Sequence, residues 1–150
     1  MMAAGFPCPY EWGVEPELAH VPIARRTLLD VVRFWQLPLS EDTLSDVALC
    51  AGEIIANAIE HTGARCKVTV RWTGTTLRVE VRDPSMRPPE VIKPRNNELR
   101  GRGLALVDAL SLRWGWLPAG TGKTVWFECA PTDPAPHGCQ PLPLTHRSHS

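Results

Sequence analysis

Residues 40–83, SEDTLSDVALCAGEIIANAIEHTGARCKVTVRWTGTTLRVEVRD, change their hydrophobic period partway along. Val47, Ala51, Ile54 and Ala58 recur at helical spacing, and Ser40 is a natural N-cap with Glu41 and Asp42 in the favoured first turn. Thr62-Gly63 stops that helix near His61. CKVTVRW and LRVEVRD then alternate apolar with polar residues, and Gly74-Thr75 lies between them. A period of two on either side of a glycine turn predicts a β-hairpin.

Working outward, Tyr10 to Val14 reads as a short edge strand, and Pro22 as the first-turn proline of a helix through PIARRTLLDVVRFWQL. Leu28, Val31, Val32 and Trp35 fall on one face of it, and Pro38 ends the segment. After Asp83 comes a polar stretch broken by Pro84, Pro88, Pro89 and Pro94. GRGLALVDALSL returns to helical spacing, and RWGWLP and KTVWFEC form a second hairpin around Ala119 to Gly122. The predicted order is β-α-α-β-β-loop-α-β-β. Strands grouped in hairpins with helices between them give the α+β class, a two-layer sandwich with a mixed or antiparallel sheet and helices on one face.

The chain has 150 residues, the length of one domain. The folded part is expected over residues 10–130, between a flexible N-terminus (1–9) and a Pro-rich disordered tail (131–150) that holds five of the 15 prolines. The 16 basic and 16 acidic side chains cancel, but residues 1–64 carry net −6 and residues 65–130 net +6. With no dense Lys/Arg block, this favours a local anionic ligand over wrapped nucleic acid. No apolar run is long enough to span a membrane, and the N-terminus does not read as a signal peptide. The five cysteines form no CxxC pair and read as reduced thiols, so a cytoplasmic location is expected.

Glu53, Asn57, Glu60 and His61 share one helical face. A carboxylate can take a proton and an amide oxygen can bind a hard cation such as Mg²⁺; the same pattern also describes a solvated face ending in a histidine. Gly101-Arg102-Gly103-Leu104 leads from loop into helix, where glycines and free N–H groups favour phosphate. The preceding segment adds Arg87, Lys93, Arg95 and Arg100 against Glu90 and Glu98. An ordinary loop with turn glycines gives the same letters, and no third glycine completes a dinucleotide fingerprint. Gly120-Thr121-Gly122-Lys123-Thr124 is no P-loop: Leu117 stands where its first glycine belongs, and a strand follows instead of a helix. It reads as a hairpin turn, with Thr124 on the emerging strand. Asp83 before Pro84 is either a turn residue or an acceptor for the exocyclic amino group of adenine, and nothing local decides between the two.

Taken in order, these motifs resemble the histidine-kinase-like (GHKL, or Bergerat-fold) ATPase superfamily over about Tyr10 to Ala130. EIIANAIEHTG, GRGLALVDAL and GKTVWFE are similar to the bacterial anti-sigma factor serine/threonine kinases, particularly the stand-alone ATP-binding regulators of actinobacteria. The resemblance implies ATP and Mg²⁺ as ligands. It makes Glu53 the general base, Asn57 the Mg²⁺ ligand and Asp83 the adenine reader. Gly101 and Gly103 lie beside the phosphates, Arg102 and Leu104 belong to the same nucleotide-binding stretch, and Thr124 brings a hydroxyl near the adenine.

Two departures stand out. Ser85 replaces the glycine usual two positions after the aspartate, and the segment to Gly101 is short. The 150 residues read as one domain without a phosphoacceptor-histidine segment, so a sensor histidine kinase is not expected. The function implied is phosphorylation of Ser/Thr on a STAS-type anti-anti-sigma partner, coupled to sequestration of a sigma factor. Homodimerisation is common among such relatives; neither nucleic acid nor membrane is an expected partner. The alternative is a catalytically weak or inactive, nucleotide-responsive protein-binding module of the same fold.

Overall fold

Ser40 Oγ accepts the backbone N–H of Thr43 at 3.0 Å, satisfying one of the donors that a helix start leaves unpaired. From that cap, helix α2 runs over Glu41–Thr62 and ends on Gly63, whose φ of 62° is the left-handed conformation of a glycine C-cap. The computed structural model describes residues 6–86 and 103–131. Strand β1 (Tyr10–Val14) leads through a short 3-10 turn at Leu18–His20 into α1 (Val21–Trp35). After α2 come β2 (Cys66–Trp72), β3 (Leu77–Asp83), α3 (Gly103–Leu110), β4 (Arg113–Ala119) and β5 (Gly122–Cys129).

The five strands form one sheet in the order β1-β2-β3-β5-β4, with every neighbouring pair antiparallel. The α+β sandwich expected from the sequence is therefore present, and its sheet is antiparallel rather than mixed. The sheet order puts β5 between β3 and β4, so both hairpins share one continuous ladder.

Strand parity sets the two faces. Val68, Val70, Val79, Val81, Val125 and Phe127 are buried in the core with Val47, Ile54 and Ile55 of α2 and Leu28 of α1. Each such aliphatic or aromatic side chain stabilises by roughly 1.5–3 kcal/mol on burial. The alternate positions carry Arg71, Arg78, Glu80, Thr124 and Trp126 on the opposite face.

That face is tied by charge. Glu128 accepts from Arg78 Nη1 and Arg113 Nε, both at 2.9 Å, and from Thr76 Oγ1 at 3.2 Å. The Arg78 guanidinium also stacks over the Trp126 ring at 4.1 Å. Burial alone would raise the Glu128 pKa, but the hydrogen bonds from Arg113 and Arg78 outweigh it and hold the carboxyl below its ordinary value. Among the described residues, no helix is long and apolar enough to cross a membrane.

Candidate functional site

Asn57 and His61 stand one turn apart on α2 and face Asp83 at the end of β3. With Ile54, Ala58, Leu104, Lys123 and Val125 they line one cavity. Helix spacing and strand parity produce this meeting. Ile54 and Ala58 press α2 onto the sheet, which leaves Asn57 half-buried at the margin. Asp83 shares the parity of Val79 and Val81 and so points to the helix side. Glu53, also half-buried, lies one turn before Asn57 on the same helix.

Leu104 brings the first turn of α3 to the cavity, with Gly103 as the helix's first residue. Gly101 and Arg102 lie outside the described residues, as does Arg100.

Asp83 is not a lone acceptor. Lys123 Nζ sits 3.1 Å from both of its carboxylate oxygens, and the Ser85 backbone N–H donates to Oδ1 at 2.8 Å. Asp83 and Lys123 are each only 4% exposed. They are register partners across β3 and β5, so the backbone brings them together before side-chain rotamers matter.

Of the expected site residues, Glu53 is not among those that line this cavity, and neither is Thr124. Its parity is that of Trp126 and Glu128, and it lines a groove on the other face with Lys67, Thr69 and Arg82. Lys123 occupies the place beside Asp83 instead. Sequence reading missed this lysine, yet a signal was available: Lys123, Val125 and Phe127 alternate, so an apolar inward face at 125 and 127 turns residue 123 inward too.

The space enclosed by these residues is about 20 Å³, room for about one water. That space is smaller than a nucleobase. A larger groove of about 560 Å³ runs past Trp12, Arg65, Lys67 and Arg82 and also touches Asp83, but Asn57 does not line it. Two of its cations are already engaged, Arg65 with Glu15 at 2.8 Å and Lys67 with Glu11 at 3.6 Å. The smaller cavity is therefore the candidate site.

The donor set there suits Mg²⁺ in one way only. No cluster of three or more His, Cys, Asp or Glu able to hold a metal occurs among the described residues. A single amide oxygen on Asn57 fits an ion that takes most of its ligands from phosphates and water.

The whole arrangement, from the helix margin at Asn57 to the strand end at Asp83, falls within residues 14–128, which match the histidine kinase-like ATPase domain. The chain belongs to that family. The chain is also similar to an uncharacterized protein of Streptomyces coelicolor, 39% identical over 90 residues that cover 56% of this chain and 83% of the relative. Membership of this ATPase family makes the chain an ATP-binding regulatory protein, and the family's ligands are ATP and usually Mg²⁺.

Proposed function

We propose that this ATPase-family chain is an anti-sigma regulator that transfers the γ-phosphoryl group of ATP to a serine or threonine of a STAS-type anti-anti-sigma partner, and that it sequesters a sigma factor when that partner is withdrawn. The observation that carries this reading is the convergence of Asn57 and Asp83 on one cavity, with Glu53 one turn away on α2. Asn57 offers its amide oxygen to Mg²⁺, which when bound neutralises charge on the phosphates. Glu53 orients the acceptor hydroxyl and takes its proton as the oxygen bonds to phosphorus and ADP leaves. Leu104 brings the start of α3 to the cavity, and N–H groups at a helix start favour developing negative charge.

The test is phosphoryl transfer from labelled ATP to a purified STAS-domain acceptor, with the Glu53→Ala variant alongside. Transfer that the substitution removes while ATP binding persists supports the reading. An unchanged rate in Glu53→Ala removes the base assignment. ATP binding without transfer to any acceptor favours the inactive binding module.

A further inference from the structure

The pairing of Asp83 with Lys123 leaves a particular hydrogen-bonding pattern facing the cavity. An ionised carboxylate has about four acceptor positions and an ammonium three donors. Lys123 Nζ takes one position on each Asp83 oxygen, and Ser85 N–H takes a second on Oδ1. One acceptor position on Oδ2 and one N–H of Lys123 remain, on two residues that both line the cavity.

We propose that Lys123 is a specificity-determining residue of this site, and that with Asp83 it reads the Watson–Crick edge of a 6-aminopurine directly. Asp83 Oδ2 accepts from the exocyclic amino group, and Lys123 Nζ donates to ring nitrogen N1. This rests on ATP binding in the Asn57–Asp83 cavity, as proposed above. The adjacent donor and acceptor of the base meet an acceptor and a donor of the protein. A 6-oxopurine in the same pose would set its oxygen against the carboxylate and its N1–H against the ammonium.

Burial strengthens the discrimination. With both side chains almost wholly removed from solvent, a ligand atom that fails to satisfy either of them leaves a charged group short of a partner, and that penalty is larger inside than in water. Lys123 thus has two roles at one position. It orients the Asp83 carboxylate without ligand, and it supplies a contact to the base.

The experiment is titration calorimetry of the full chain with Mg-ATP and with Mg-1-deaza-ATP, in which N1 is replaced by C–H and the amino group is kept. The wild-type chain is expected to bind ATP about tenfold or more tightly than the deaza analogue, the loss of one hydrogen bond from a charged donor. Lys123→Met is expected to bring the two affinities within about twofold, and Lys123→Arg to keep most of the preference. Thermal unfolding of each variant shows whether it is folded, and the wild-type comparison stands even if Lys123→Met is not.

Equal affinities in the wild type overturn the role of Lys123 alone. So does a preference that persists in Lys123→Met, or an ATP affinity that rises in it, which would mean the lysine merely fills the place of the base. A wild-type chain that binds neither nucleotide overturns the ATP-site reading and this inference with it.

Discussion

Gly122 lies directly against the backbone carbonyl of Asp83. A Cβ at residue 122 would collide with that oxygen and would also stand 2.8 Å from Pro84 Cα. Both obstacles are backbone, so neither can swing aside as a side chain could. The close approach lets β5 begin opposite the last residue of β3, and it puts Lys123 within reach of Asp83.

Gly122→Ala is therefore expected to push the start of β5 away from Asp83. Overpacking of this kind destabilises by about 1–3 kcal/mol, to be read from urea unfolding, and ATP affinity should fall with it. Unchanged stability together with unchanged affinity would show that the strands meet with more slack than this geometry allows.

The fold was legible because its elements signal themselves by period. The switch from helical spacing to strict alternation after Gly63 marks both α2 and the β2–β3 hairpin, and Ser40 and Gly63 act as the caps their residue types suggest. The end of α1 was less clear. Gln36 takes a left-handed conformation at φ 58°, a role more often filled by glycine or asparagine, so only Pro38 pointed to the boundary. The short 3-10 turn at Leu18–His20 carries too few residues to show a period.

Legibility of the site was uneven for a different reason. Asn57 and Asp83 each have an ordinary local reading, and it is the order of motifs along the chain that singles them out; the cavity unites them. The resemblance assigns Thr124 a hydroxyl near the adenine, whereas parity with Trp126 turns it to the other face. Lys123 looked like a turn residue because burial of a lysine depends on its partner. That partner, Asp83, lies forty positions earlier and is fixed only by sheet register.

Glu128 should make stability sensitive to acid. Its folded-state pKa lies below the ordinary 4.5, so in acid the unfolded chain binds a proton more readily than the folded one. The stabilisation is present above about pH 4.5 and is lost as pH falls through the lower folded-state value. Glu128→Gln should cost about 1–3 kcal/mol near neutral pH, since Arg78 and Arg113 lose a charged acceptor. It should also flatten the acid limb of a denaturation series; an acid limb as steep as the wild type's would mean other carboxyls dominate.

The thiols should divide sharply in reactivity. Cys50, Cys66 and Cys129 are buried, whereas Cys8 is exposed. Burial pushes the Cys66 thiol up to about 11 and the Cys129 thiol to about 12, and it raises Cys50 as well. Treatment of the native chain with a thiol reagent at pH 8, followed by peptide mapping, should label Cys8 and leave these three unlabelled until denaturant is added. Rapid native labelling of Cys66 or Cys129 would show that the sheet opens more readily than its packing implies.

ATP held at the Asn57–Asp83 cavity is tested most directly by calorimetric titration of the chain with ATP, with and without Mg²⁺, beside Asn57→Ala. Saturable binding that depends on magnesium, and that weakens about tenfold or more in Asn57→Ala while the variant stays folded, is the expected result. No heat of binding up to millimolar ATP, or equal magnesium-dependent affinity in Asn57→Ala, would contradict it.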